Sequence, residues 1–264
     1  MTKPHPSGQS GAFIWYELMV RDPDRAQAFY GEVLGWKART FGSDDQGDYR
    51  LFTAGDGVEV AGLMALPEDN DCQAGEPGWV GYIGVDDPDA MVDAIVADGG
   101  QRFVPPTDIP GVGRFAVVAD PQGAVFTIMR GASEEASRAW SADRAGHCRW
   151  NELATSDPKA AEDFYARHFG WTKGEAMPMG ELGDYQMLDR GEQSFGAVMR
   201  HMPGDRPNWL FYFGVEDIDA ALNRVTSAGG AVLHGPQEIP GGEFIVAAQD
   251  PEGARFAVVG PRGS

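Results

Sequence analysis

The 264 residues include 40 acidic and 21 basic side chains, a formal charge of -19 that repels a phosphate backbone and an anionic lipid surface, so neither nucleic acid nor membrane is expected as a partner. With 42% hydrophobic residues, 36 Gly and 18 Pro, the composition is that of a turn-rich globular chain. Cys72 and Cys148 have no second cysteine or closely spaced histidine to complete a zinc motif and are expected as reduced thiols; an opening MTKPHPSGQSGAF without an apolar core, and no run of about 18 apolar residues, point to cytoplasmic residence.

The first predicted element is the strand FIWYELMV, residues 13 to 20, whose alternation puts Phe13, Trp15, Glu17 and Met19 on one face and Ile14, Tyr16, Leu18 and Val20 on the other. The even set is wholly apolar and suits packing; the odd set carries a single acid. Asp22 then caps a helix that begins at Pro23, carries a stripe of Phe29, Tyr30, Val33 and Leu34, and ends at Gly35. Short strands follow in YRLFTAG and EVAGLMAL. A second such series opens at Asp87 and Pro88 with a helix bearing Met91, Ile95 and Val96, closed by Gly99 and Gly100, and continues through RFVPP, RFAVVAD and AVFTIMR. Each series is one strand, one helix and about three strands, βαβββ.

The whole arrangement occurs twice. WYELMVRDPDRAQAFYGEVLGW from Trp15 matches WNELATSDPKAAEDFYARHFGW from Trp150, PGWVGYIGVDDPDA from Pro77 matches PNWLFYFGVEDIDA from Pro207, and IPGVGRFAVVADPQGAVF from Ile109 matches IPGGEFIVAAQDPEGARF from Ile239. The Ser/Ala/Glu-rich stretch GASEEASRAWSADRAG joins the copies. Domain 1 is placed at 11–131, a linker at 132–146 and domain 2 at 147–260.

The order and duplication of these pieces, a strand leading into D...A..FY...LGW, then W.GYIGVDD.DA, then DPQGAVF or DPEGARF, resemble the vicinal oxygen chelate (VOC) superfamily of glyoxalases, extradiol dioxygenases and bleomycin resistance proteins, and within it a tandem group of bacterial glyoxalase-like proteins. The resemblance implies an α+β fold of four βαβββ modules paired into two cup-shaped domains, each with a small-molecule cavity. In metal-dependent relatives the cup floor holds a divalent ion on His, Gln or Glu. Counted residue by residue, those positions fall here on Trp15 and Trp150, near Val80 and Leu210, within AGLM (61–64) and GAVM (196–199), and on Thr127 and Ala257. Only Thr127 offers oxygen, so no metal is expected at the usual place, though an atypical donor set stays open.

The same geometry would turn Glu17, and its counterpart Glu152, into the cavity, where a partly desolvated carboxylate can act as general acid or base. The bland alternative is a glutamate tied to an arginine or to backbone amides. Arg255, on the strand face of Ala257, is the expected partner of Glu152; Val125 stands in its place in the first copy and leaves Glu17 without one. Trp79 and Trp209 serve either as packing or as a stacking surface, Tyr49 and Tyr185 as half-buried rings or ligand hydroxyl donors, and Arg114 as a contact for an anionic group in the first cup. His5, His147, His168, His201 and His234 are scattered and are expected at the surface or in loops. No P-loop or dinucleotide fingerprint is present, so no nucleotide cofactor is implied. Three functions follow: a metal-free protein that binds a planar or carbonyl compound, a glyoxalase-like lyase or dioxygenase-type enzyme working through Glu17 or Glu152, or a scaffold that binds another protein. The chain is expected as a monomer or homodimer, and the first reading is preferred because the Lewis acid of the superfamily's usual chemistry has no ligands.

Overall fold

The structure is a computed structural model that describes residues 9–42, 48–66 and 75–263. His5 and Cys72 lie outside the described residues; Cys148 is a free, buried thiol. The first module runs β1 (Phe13–Val20), α1 (Pro23–Leu34), β2 (Lys37–Thr40), β3 (Tyr49–Thr53) and β4 (Glu59–Ala65). The second runs β5 (Gly78–Gly84), α2 (Pro88–Ala97), β6 (Gln101–Ile109), β7 (Gly113–Ala119) and β8 (Val125–Gly131). The third comprises β9 (Cys148–Thr155), α3 (Pro158–Phe169), β10 (Thr172–Pro178), β11 (Asp184–Arg190) and β12 (Gln193–Arg200). The fourth comprises β13 (Asn208–Gly214), α4 (Ile218–Ser227), β14 (Ala231–Glu238), β15 (Phe244–Gln249) and β16 (Arg255–Gly260).

Each copy contributes one eight-stranded mixed sheet, ordered β2-β3-β4-β1-β5-β8-β7-β6 in the first and β10-β11-β12-β9-β13-β16-β15-β14 in the second. The four βαβββ modules and the α+β class are thus as the sequence led us to expect. Within a module the first and last strands pair in parallel, Glu17 opposite Gly62 and Glu152 opposite Ala197, and the rest pair antiparallel.

Helix α1 begins where Asp22 caps the Arg25 amide and stops at Gly35, whose φ of 70° is the left-handed conformation open to glycine. In α2 the buried stripe is Pro88, Val92 and Ile95, not Met91, Ile95 and Val96; Val96 is exposed. At about 100° per residue Pro88, Val92 and Ile95 cluster together, and Met91 and Val96 fall at the margins of the same face. Strand β6 extends through Pro105 and Pro106 to Ile109, which an edge strand tolerates because one side of its backbone has no neighbour to donate to. The short β2 carries no apolar alternation and was not distinguishable in the sequence.

By packing, the chain divides differently from its sheets. One compact unit is drawn from Met1–Ile14, Val80–Ser137 and Trp150–Trp209, the other from Trp15–Trp79, Arg138–Arg149 and Leu210–Ser264. The first unit therefore combines the second and third modules, the other the first and fourth, with α1 packed on α4.

The same buried lock closes each unit. In the first, Asp120 Oδ1 accepts the backbone N–H groups of Gln122, Gly123 and Ala124 at 2.8–2.9 Å, and Oδ2 accepts the Tyr165 hydroxyl at 3.2 Å. Tyr165 in turn accepts the Trp209 indole N–H at 3.3 Å. In the other unit Asp250 binds the amides of Glu252 and Ala254 and the Tyr30 hydroxyl, which accepts the Trp79 N–H at 2.9 Å. Burial raises both aspartates above the usual carboxylate range in spite of these donors. The tryptophan after each helix adds a second anchor: Trp36 donates to the Gly146 carbonyl and Trp171 to that of Gly11.

Asp120→Ala would orphan the Gln122 and Ala124 amides and the buried Tyr165 hydroxyl, while the Gly123 amide keeps the carbonyl of residue 120. At about 1–3 kcal/mol for each unsatisfied buried donor, urea denaturation should show a loss of roughly 3 kcal/mol or more. Asp120→Asn, which keeps an acceptor for the amides, should lose less than Asp120→Ala.

Candidate functional site

Alternation along β1 places its fully buried residues, Tyr16, Leu18 and Val20, on one face and Trp15, Glu17 and Met19 on the other, as expected. Glu17 is only 7% exposed, although its neighbours Trp15 and Met19 are half-buried. It does not stand alone in its copy as expected from the valine at 125: the Tyr49 hydroxyl donates to Glu17 Oε2 at 3.0 Å. Trp15 donates its indole N–H to the same hydroxyl. The phenol thus accepts from an indole and donates to a carboxylate, which fixes the direction of its proton.

The second copy repeats the chain of groups. Trp150 Nε1 donates to Tyr185 Oη at 2.8 Å, and Tyr185 donates to Glu152 Oε2 at 2.9 Å. Burial, reinforced by the glutamate charge, pushes both phenols well above the ordinary tyrosine value, against the opposing pull of the indole. Each therefore stays protonated as a donor. In the sequence these six residues are unconnected, because only the strand register brings Tyr49 of β3 across β4 to Glu17 of β1.

Gly62 makes that reach possible. It lies between Leu51 of β3 and Glu17 of β1, and a Cβ there would collide with the Tyr49 hydroxyl and crowd Trp15. The row beside it is apolar and half-open. Phe41 extends the β2–β3 ladder through its N–H to the Tyr49 carbonyl, Tyr49 lies opposite Met64, and Met64 opposite Met19. Phe41 is 39% exposed, with its ring edge-on to Tyr49 at 6.2 Å between centroids. None of Phe41, Met64 and Met19 was singled out as a ligand contact in the sequence; no motif marks them, and they are found only by following the register.

Other expected contacts are placed differently. Trp209 is a core residue, its ring enclosed by Phe13, Tyr165 and Trp171, so the stacking-surface alternative does not describe it. Trp79 is half-buried and packs on Tyr30, Trp36 and Phe213. The Arg114 guanidinium is already engaged by Asp89 at two nitrogens and by Asp108 at a third. These carboxylates use the donors that an anionic ligand would need. Arg255 is exposed at the start of β16, opposite Gln249. Two histidines are not surface groups: His147 is fully buried between the Arg138 carbonyl (2.7 Å) and Asp56 (3.2 Å), and the His168 side chain is 6% exposed beside Asp98.

The positions at which the superfamily binds metal do not fit an ion here. Trp15, Trp150, Val80, Leu210 and Ala257 have no donor, and the fully buried Thr127 supplies one hydroxyl, which has no hydrogen-bond partner among the described residues. Nor do the described residues contain a group of three or more His, Cys, Asp or Glu able to hold a metal. A cavity of about 730 Å³ in the unit of the first and fourth modules lies elsewhere, lined by the end of α1, the start of α4 and residues such as Asp56, Arg144 and Arg224.

Two eight-stranded sheets built from paired βαβββ modules define the glyoxalase-like class of fold. The chain belongs to the Glyoxalase/Bleomycin resistance protein/Dioxygenase superfamily, whose profile matches residues 12–128 and 144–258. It is 34% identical over 261 residues to CFP32 of Mycobacterium tuberculosis, which carries a provisional glyoxylase name, with 96% of each chain covered. It is 33% identical over 266 residues to the anthracycline biosynthesis protein DnrV of Streptomyces peucetius, covering 94% of this chain and 93% of DnrV. Among solved structures, the Mn(II)-bound glyoxalase of Novosphingobium aromaticivorans shares the fold at a TM-score of 0.66 and 18% identity, over 97% of this chain and 83% of that one. Homoprotocatechuate 2,3-dioxygenase of B. fuscum does so at 0.64 and 17%, over 97% and 72%. No helix among the described residues is long and apolar enough to cross a membrane.

Because the phenols of Tyr30, Tyr49, Tyr165 and Tyr185 are raised above the unfolded value of 10.0, they bind protons in the native state that the unfolded chain releases. Their contribution is complete below pH 10 and is lost as pH rises above it. Absorbance at 295 nm should show these four ionising only above pH 10, in a cooperative, unfolding step. At the site itself, Gly62→Ala should expel the Tyr49 hydroxyl from its place and, like Tyr49→Phe, change the fluorescence of Trp15; a Gly62→Ala protein with an unaltered Trp15 environment would contradict this geometry.

Proposed function

We propose that this protein binds a small organic compound, planar or carbonyl-bearing, on the faces of β1 and β9 that carry Glu17 and Glu152, without a metal at the superfamily's usual position. The supporting observation is the twofold repetition of one arrangement: a glutamate held by a tyrosine whose own oxygen is occupied by an indole, beside half-exposed methionines. Apolar side chains supply contact area there, while the carboxylate accepts a hydrogen from a ligand O–H, N–H or acidic C–H. The carboxylate is the polar group that orients the ligand. The name of DnrV, a protein of anthracycline biosynthesis, agrees with a polycyclic aromatic compound as ligand class. We take residues 11–131 and 147–260 as the two ligand-carrying domains of a cytoplasmic monomer or homodimer.

The burial of Glu17 favours a second reading in parallel, a glyoxalase-like lyase or isomerase in which Glu17 or Glu152 carries the proton. The same group serves both readings, and turnover separates them.

A charge-assisted hydrogen bond contributes about 1.5–3 kcal/mol, so Glu17→Gln together with Glu152→Gln should weaken binding of a phenolic probe such as 2-naphthol by roughly ten- to a hundredfold in isothermal titration calorimetry. Unchanged affinity would reject the binding reading. Methylglyoxal consumption by the intact protein, abolished in Glu17→Gln, would establish the second.

A further inference from the structure

We infer that the two copies have diverged in ligand shape: Phe41 makes the Glu17 site selective for a flat aromatic ring, whereas the Glu152 site, with Met177 in the same place, accepts non-planar compounds. This rests on the binding reading above and assigns a specificity role to a residue outside the glutamate–tyrosine–tryptophan arrangement.

The equivalence of the two residues comes from the ladders. Phe41 donates its N–H to the carbonyl of Tyr49, and Met177 lies opposite Tyr185, so each stands beside the tyrosine that holds the glutamate. Directly paired residues on adjacent strands project to the same side, which places Phe41 on the face shared by Tyr49 and Glu17. At the other end of the row Met19, opposite Met64, corresponds to Ala154, opposite Met199. The acid, the phenol and the indole are retained, while the flanking side chains differ.

Those differences carry chemistry. A phenylalanine ring is rigid and presents a π-face or edge to another flat ring, an interaction of about 0.5–1.5 kcal/mol beyond the area buried. Methionine is unbranched and polarizable and adapts to an irregular surface, so it discriminates little by shape. The Phe41 ring is also braced. Arg39 places its guanidinium 5.7 Å from the ring centroid, and Glu59 holds that arginine through its Nε at 2.8 Å. A ring positioned in this way before the ligand arrives loses less freedom on binding than a mobile one.

The test compares 2-naphthol with decahydro-2-naphthol, which has the same carbon skeleton and hydroxyl but no flat ring. By titration calorimetry on the full chain, Phe41→Ala and Phe41→Leu should each weaken 2-naphthol about 3- to 10-fold, the range that corresponds to the ring–ring contribution, and change decahydro-2-naphthol less than about 2-fold. Met177→Ala should weaken 2-naphthol less than Phe41→Ala does. Because Phe41 is exposed, both variants should keep the unfolding midpoint of the parent, and Phe41→Leu preserves apolar volume should the alanine variant fold poorly. Equal weakening of both compounds, no weakening of either, or an effect of Met177→Ala on 2-naphthol as large as that of Phe41→Ala would overturn the inference. If 2-naphthol responds to Glu17→Gln but not to Phe41→Ala, the shape inference alone falls. If it does not bind the intact protein, the binding reading falls and takes this inference with it.

Discussion

The carboxylate at the head of each DPxG turn is the constraint on which the structure depends. Asp120 gathers three backbone amides with one oxygen and reaches the Tyr165 hydroxyl with the other; Asp250 gathers two in its turn and reaches Tyr30. A buried acid held by so many donors cannot be moved without leaving several of them unsatisfied. The last strand of a module is thereby fixed to a helix of the opposite copy, and the tryptophan that donates to the tyrosine closes the packing around it. The first strands, which carry Glu17 and Glu152, are thus built into a rigid frame, which is what a site made of side chains from three different strands requires.

Much of the frame is legible in the sequence because each of its features is local. Asp22, Pro23 and Gly35 bound α1 by capping chemistry that acts within a single turn, and the repeat of the LGW and FGW endings exposes the duplication without any three-dimensional knowledge. The alternation of β1 is equally readable, and it correctly groups Trp15 with Glu17. Helix α2 is ambiguous in the sequence: Met91, Val92, Ile95 and Val96 are all apolar, and only packing decides which of them turn inward.

The site is less legible because its contacts are long-range. Tyr49 is 32 residues from Glu17 and meets it only because β4 lies between them with a glycine at the crossing. Trp79 and Trp209 read in the sequence as packing or as a stacking surface, and only the folded contacts show their indole N–H groups donating into the locks. Arg114 looked available because its partners, Asp89 and Asp108, lie on α2 and β6, and acidic residues in a chain of this charge are too common to single out. Phe41 was invisible for the opposite reason: it sits at the end of a four-residue strand without alternation, and its role depends wholly on what lies across from it.

The packing units have a consequence for descent. Each combines a first-type module from one copy with a second-type module from the other, so the helix tyrosine of either copy finds its aspartate outside that copy. A solitary ancestor with a single copy would have left both groups facing solvent unless two chains exchanged them, as partners in a reciprocal homodimer do. With both copies in one chain, each tyrosine and aspartate is satisfied within a single polypeptide. Within one polypeptide the two faces need not be identical: phenylalanine stands beside one tyrosine–glutamate pair and methionine beside the other.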